Sequence, residues 1–375
     1  MGIDVARCVA LVGMMGTHVL DPRTATGDVA LWQSVAGGRA SALFAVLAGV
    51  SIALMTGRRH PVGGRERAAR AVGLAVRSVL IAALGLFLGG LETGLAIILA
   101  YYGVLFLLAI PFLGLRAGPL ALLAAGWIVI APVVSHLVRP HLPERGIESP
   151  SFDQLAADPG GLLSELLFTG YYPAVPWLAY LLAGMALGRL DLRGRRTPAL
   201  LAAGGVVLVV VSTALSRALT AGSELLTPRA GEIATGMYGT TPTGGPAEWL
   251  LVVAPHSGTP FDLAQTTGSA LAVTGAALLL VQLLPRVGER AVAVLFGAGT
   301  MTLTLYSLHA VMRTDALLPD DTGETLLAHV LVVLLLGAVF VAVGWRGPLE
   351  RVVSAVAGGA ARPVRGGPGP TSRPD

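Results

Sequence analysis

The chain has 375 residues, 54% of them hydrophobic and only 13% charged, with a mean hydropathy of +0.73. Apolar runs of about twenty residues recur from end to end, the length that crosses a bilayer as a helix. This composition excludes an ordinary water-soluble domain and predicts an all-α fold, a polytopic membrane helix bundle. The net charge of +4 does not point to nucleic acid, because the distribution of arginines across the membrane accounts for it.

All 26 basic residues are arginine, and with 49 glycines and abundant alanine this reflects codon bias as much as function. The single cysteine, Cys8, lies inside the first apolar run, so intrachain disulfides and cysteine metal sites are excluded. No metal-ligand spacing or phosphate-binding glycine loop occurs, and no metal is expected.

In chain order, apolar windows predict ten spans, near residues 3–20, 40–56, 71–91, 94–115, 118–138, 170–188, 197–219, 263–284, 290–311 and 325–345. The first has no positive region ahead of it and no convincing cleavage site before Asp21, so it is read as a permanent helix and not a removed signal peptide. Glycine and alanine inside spans, as in LGLFLGG (84–90), are read as close helix contacts. Residues 1–360 form one transmembrane domain in this reading, and the Pro/Gly/Arg-rich tail from Ala361 is expected to be a disordered cytoplasmic segment.

Orientation follows from the arginines, because short positively charged loops stay in the cytoplasm. The connectors GRRHPVGGRERAAR, GLRAG, GRLDLRGRR, LPRVGER and WRGPLER all fall on one face of the ten-span arrangement. That face holds 19 of the 26 arginines but only 6 of the 22 acidic residues, which places both termini in the cytoplasm. The other face receives two long connectors, 139–169 and about 220–262, of the length that is usually functional or disordered.

The first span carries Arg7 and His18. Eleven positions apart, they project within ~20° of each other and stand ~16 Å apart along a helix. Asp4 is placed to pair with Arg7 one turn away. Ionisable groups in a span mark function by default, although Arg7 at one interface and His18 at the other would also satisfy plain snorkelling.

Other polar residues converge on the His18 end. GGRASALFAVLAGVS (37–51) brings Arg39 and Ser41, and APHSGTPFD (254–262) brings His256, Ser257, Thr259 and Asp262. TMTLTLYSLHAVM (300–312) ends with Thr304, Tyr306 and His309, and GYYPAVPW (170–177) opens with Tyr171, Tyr172 and Trp177. An interfacial aromatic belt accounts equally for Tyr171 and Trp177. His136, His141 and His329 read as loop or interface histidines, and His60 as a solvated one.

These stretches together, GIDVARCVALVGMMGTH, GRASALFAVLAGVSIAL, YYGVLFLLAIPFL, YYPAVPWLAYLLAGMALGRLDL, PHSGTPFD and TMTLTLYSLH, resemble bacterial proteins of the heparan-α-glucosaminide N-acetyltransferase and YeiB-like group, within the transmembrane acyltransferase superfamily. The resemblance implies transfer of an acyl group, usually acetyl, from cytoplasmic acyl-CoA to an acceptor across the membrane. The related acyltransferase three family has an arginine, ten intervening residues and a catalytic histidine in its first helix. Arg7 and His18 reproduce that spacing, and Arg67 with Arg70 resembles the family's basic pair at the start of the third helix.

On this reading Arg7, Arg67 and Arg70 contact the donor's phosphates, for which guanidinium forks are suited. His18 acts as general base or carries the acyl group itself. Arg39, His256 and Ser257 orient the acceptor or stabilise an oxyanion. Ser41, Tyr171, Trp177, Thr259, Tyr306 and His309 are candidates for contact with an extracytoplasmic glycan or amino sugar. The expected partners are the bilayer, acetyl-CoA or another acyl-CoA, and that polar acceptor, with a homodimer as the candidate assembly. Two rival readings stand beside it: a secondary transporter with Asp4, Arg7 and His18 along its pathway, and a non-catalytic membrane scaffold.

Overall fold

The computed structural model describes residues 1–146 and 149–365. The main helices are α1 (Gly2–Val19), α2 (Arg39–Met55), α3 (Gly64–Gly89), α4 (Leu99–Ala109) and α5 (Ala117–Val138). They are followed by α6 (Ala174–Gly188), α7 (Arg196–Thr220), α8 (Pro260–Leu283), α9 (Thr302–Met312), α10 (Gly323–Ala342) and α11 (Pro348–Arg365). No strand occurs among the described residues, only one isolated bridge between Arg23 and Val29.

Among the described residues, seven helices are long and apolar enough to cross a membrane: Gly2–Val19, Leu31–Met55, Gly64–Gly89, Ala117–His141, Arg196–Thr220, Pro260–Leu283 and Gly323–Ala342. The three other windows expected to span fall on short or broken helices. Window 94–115 is α4 followed by a 3-10 turn, Ile110–Phe112, that carries Pro111. Window 170–188 is α6, bent 50° from the helical segment Pro159–Thr169 that precedes it. Window 290–311 divides into Arg286–Leu295, a 3-10 turn Gly297–Thr300, and α9. Hydropathy averages over such breaks, whereas proline and glycine impose them locally.

The interior is built on α1, α2, α4 and α6. Leu11 and Met15 of α1, Leu47 and Ile52 of α2, Tyr101 and Leu105 of α4 and Tyr180 of α6 are all fully buried. Around them, α3, α5, α7 and α10 turn apolar stripes outward. Leu327, Leu331, Leu335 and Val339 recur every four residues on α10, and Val206, Val207, Val210 and Val211 do the same on α7. Such faces are at home in lipid, which leaves the backbone bonds inside each helix as the only polar pairing required.

Between helices, packing replaces the hydrophobic drive that lipid removes, so small residues sit where backbones meet. A Cβ on Gly49 of α2 would overlap the Leu181 carbonyl of α6, and one on Gly184 would overlap the Val46 carbonyl of α2. Gly205 of α7 meets Gly268 and Ala272 of α8 in the same way. In the stretch expected to serve close packing, Gly85 meets Leu99 and Ala100 of α4 and Gly89 meets the Pro150 carbonyl, whereas Gly16, Gly126 and Gly204 in other spans face open space.

At one end of the bundle the basic connectors are tied together by Arg189, which caps α6 and is 3% exposed. Its guanidinium donates to the carbonyls of Ala53 in the last turn of α2 and Thr56 and Arg58 just after it, and to those of Leu113 and Leu115 after α4. At the other end both long connectors are folded. Arg139, closing α5, donates to the Thr241 carbonyl and hydroxyl, and Leu226, Trp249, Val252 and Ala254 form a small core of their own.

The chain beyond α10 turns back as α11, whose Val353, Ala357 and Ala361 are buried. Its Arg365 pairs with Glu66 at 3.1 Å, and its Glu350 accepts from the backbone N–H groups of Leu303 and Thr304 at the start of α9. The segment from Ala361, expected to be disordered, therefore continues as helix to Arg365. The rest of that tail, 366–375, lies outside the described residues.

Candidate functional site

His18 stands in the last turn of α1 and lines a cavity of about 830 Å³ at the end of the bundle opposite Arg7. Its Nδ1 lies 3.1 Å from His309 Nε2, with the two rings stacked at 5.3 Å and 8°. His309 Nδ1 in turn lies 2.7 Å from Nδ1 of His329 on α10. His309 and His329 are fully buried. With Nδ1 engaged by His309, the His18 Nε2 has no hydrogen-bond partner among the described residues.

His256 lines the same cavity from the loop before α8. Its ring lies 4.7 Å from Tyr171 and 5.6 Å from Tyr172, and it stacks on Trp177 at 6.4 Å and 7°. The backbone there is left-handed, with φ of 57°. A non-glycine residue pays a strain of ~1–3 kcal/mol for such a conformation, which persists where the surroundings impose it. Here the imposing contact is the aromatic box, and the His256 Nδ1 within it is buried without a hydrogen-bond partner among the described residues.

Burial pushes the His256 imidazole down to about 3, with repulsion from His18 adding to the effect. The unfolded chain takes up this proton near pH ~6.5. Stability from the neutral ring is therefore present above pH ~6.5 and lost as the pH falls toward 3. We expect the melting temperature to decline on acidification through that window, and His256→Asn, which tolerates the left-handed backbone, to flatten the decline. An unchanged slope in the Asn variant, read by differential scanning fluorimetry, would contradict this.

The opposite wall carries a carboxylate that the sequence did not single out. Glu165 is 2% exposed and starts a π-helical turn, Glu165–Thr169, a distortion frequent at functional sites. It accepts from the Tyr101 hydroxyl at 3.1 Å and from Gln154 Nε2 at 2.8 Å. Arg145 lines the cavity nearby, 5.9 Å above the Tyr171 ring and 5.4 Å from that of Tyr238. The cavity thus presents two imidazoles, one buried carboxylate, one guanidinium and four tyrosine rings. The only visible signal for Glu165 was its position five residues before the GYYP break.

Of the residues singled out from sequence, His18, Ser41, Tyr171 and His256 line this cavity. Trp177 and His309 stand behind it, against His256 and His18. Arg39 does not reach it. Its guanidinium donates to the Ser34 carbonyl at 2.6 Å and lines a second cavity of about 610 Å³ with Arg217 and Asp262, separated from the first by Gln33 and Gly37. Thr259 is committed to capping α8, accepting from Asp262 N and donating to the Val252 carbonyl. Ser257 is buried and directs its hydroxyl to Thr259 at 3.4 Å. Tyr306 accepts from the Ile98 N–H, inside the protein.

His329, read from sequence as a loop or interface residue, is corrected by this geometry. It belongs to the row behind His18. The window reading placed it at a span entrance but carried no information on which way it faces.

At the far end, Arg7 donates to Asp4 at 3.0 Å and to Ser51 of α2 at 2.6 Å, so the expected Asp4 pairing is present. Arg70 pairs with Glu66 at 2.6 Å, and Arg67 lies exposed against Gly114. None of the three lines either cavity.

The described residues thus define a helical membrane protein with a histidine-bearing cavity at one end of its first helix. The family described as heparan-alpha-glucosaminide N-acetyltransferase, catalytic, matches residues 1–218, more than half of the chain, and the chain belongs to that family. No curated protein matches it. The matched region contains His18, Glu165 and Tyr171, while His256, His309 and His329 lie beyond it.

Proposed function

We propose that the protein transfers an acetyl group from acetyl-CoA, entering at the arginine-rich cytoplasmic end, to an amino sugar of the cell envelope held in the cavity at the outer end. Membership in an acetyltransferase family supports the reaction, and the arginine asymmetry supports the orientation. The observation that carries the reading is the His18 ring, which lines the 830 Å³ cavity with Nδ1 held by His309 and Nε2 without a hydrogen-bond partner among the described residues.

In this reading Arg67, with Arg70 and Arg365 around Glu66, gathers positive charge where the donor's phosphates approach. The acceptor nitrogen lies within reach of His18 Nε2, which removes its proton as the nitrogen attacks the thioester carbonyl. The new bond is nitrogen to acyl carbon, the bond broken is carbon to sulfur, and CoA leaves as thiolate. His256, which lines the cavity, is close enough to orient the acyl oxygen.

Glu165 supplies the acceptor specificity. A buried carboxylate beside tyrosine faces suits an amino sugar, whose nitrogen and hydroxyls donate to it and whose ring lies on an aromatic surface. Glu165→Gln keeps the shape and the bond from Tyr101 while removing the charge. We expect the KM for the amino acceptor to rise roughly ten- to hundredfold, the scale of one hydrogen bond to a charged group, with the KM for acetyl-CoA unchanged. Equal changes in both constants would deny Glu165 an acceptor role.

The test of the whole reading is acetyl-CoA turnover by the purified chain in lipid nanodiscs, offered a pool of amino sugars and envelope glycans, with acetylated product read by mass spectrometry. Product formation identifies the acceptor class, and an acetylated His18 in intact-protein spectra would make that residue the nucleophile instead of the base. Folded protein that forms no product from any acyl donor overturns the reading, and solute uptake without acyl-CoA would then favour transport.

A further inference from the structure

The row behind His18 is longer than positioning a general base requires. One hydrogen bond to His309 is enough to set the tautomer of His18, yet His309 is itself bonded to a third imidazole at 2.7 Å, whose fully buried ring lies beside the Leu318 backbone on the loop between α9 and α10. Each imidazole has one nitrogen that donates and one that accepts. If His18 Nδ1 donates to His309 Nε2, then His309 Nδ1 donates to His329 Nδ1, and the row conducts a proton in one direction. If every proton shifts by one place, the direction reverses.

We propose that His18, His309 and His329 form a proton relay, with His329 as its terminal carrier. This rests on the acetyl-transfer reading and deepens it. The acceptor proton goes to His18 Nε2. In the same step the His18 Nδ1 proton passes to His309 Nε2, and the His309 Nδ1 proton passes to His329 Nδ1. His329 then gives its Nε2 proton to water on the side of the loop between α9 and α10, and the return of all three rings to their starting tautomers frees His18 Nε2 for the next turnover. The CoA thiolate takes a proton from solvent at its own end, so the reaction balances with one proton released on the acceptor side and one taken up on the donor side.

The charged surroundings fit a path and not a resting place. The charge acting on all three rings is Arg313, which follows α9. Its guanidinium donates to the carbonyls of Pro319 and Asp320 and pairs with Asp321 at 2.7 Å, pinning the loop between α9 and α10. Of the other titratable groups, His256 faces His18 across the cavity, and Asp321, already paired with Arg313, comes from the loop. A positive neighbour gives an imidazolium no partner to settle against, so a proton entering the row is passed along.

His329→Asn separates relay from scaffold, because an amide oxygen still accepts from His309 Nδ1 but takes no proton onward. With acetyl-CoA and glucosamine as probes, we expect kcat to fall at least tenfold while both KM values stay within twofold. Added imidazole should partly restore His329→Ala. Wild-type kcat and an unaltered pH profile in His329→Asn overturn the relay. If the wild-type chain acetylates nothing, the acetyl-transfer reading fails by itself, and ¹⁵N NMR of the histidine-labelled chain in lipid decides the relay. Tautomers of the three rings that change together on titration support it, and rings whose tautomers change independently of one another overturn it.

Discussion

Replacing His18 with alanine is expected to lower acetyl transfer by roughly 10²–10⁴-fold, the contribution of a positioned general base, while leaving acetyl-CoA binding within a few-fold of wild type. The ring is half-buried at a helix end and its one bond is to His309, so its loss opens space into an existing cavity and leaves the packing of α1 through Leu11 and Met15 in place. The check is single-turnover product formation beside donor binding by isothermal calorimetry, both on nanodisc-embedded protein with a wild-type melting temperature. His18→Asn, which keeps a hydrogen bond to His309 but has no basic nitrogen, should be as inactive as His18→Ala. Appreciable turnover in the Asn variant would show that the bond to His309, and not proton removal, is what the reaction needs.

The largest loss of stability outside the glycine contacts is expected at Arg189. Its guanidinium serves five carbonyls and the Thr56 hydroxyl, an arrangement that needs the five N–H donors and planar fork of arginine. Arg189→Ala strips partners from several carbonyls at once. A cost on the order of 3 kcal/mol follows, since unpaired buried acceptors are expensive, and this corresponds to a fall of about 5–10 °C in melting temperature. Arg189→Lys should recover only part of the loss, because an ammonium has three donors and reaches fewer of the carbonyls. Fluorescence-detected melting of the purified variants in detergent measures this, and unchanged melting in Arg189→Ala would show that water replaces the arginine at no cost.

The second cavity has no role in either experiment, but it explains one displaced expectation. Arg39 opens α2 on the side facing α7 and α8, beside Arg217 and Asp262, so its distance along the chain from His18 placed it at the right end of the bundle and the wrong side of the Gln33–Gly37 wall. Thr259 shows the same limit. The pattern T-P-x-D is both a polar cluster at a span entrance and a helix start, and the structure uses it as the latter.

The sequence by itself determined the membrane class, the positions of seven of the ten spans it predicted, the gathering of His18, Ser41, Tyr171 and His256 at one end, and part of the glycine-mediated packing between helices. These depend on composition, on runs about twenty residues long and on alternation of ends, all of which are local or additive along the chain. Tertiary structure decided the rest. The breaks at Pro111, at the GYYP turn and at Gly297–Thr300 remove continuous helix from three apolar windows, because a bend depends on where a proline or glycine can be accommodated and not on mean hydropathy. The rotation of α9 and α10 about their own axes turns His309 and His329 inward toward His18, and the π turn aims Glu165 into the cavity. A helix that is apolar all round carries no sequence signal for its own rotation. Only the packing of its neighbours selects which polar side chain faces the site.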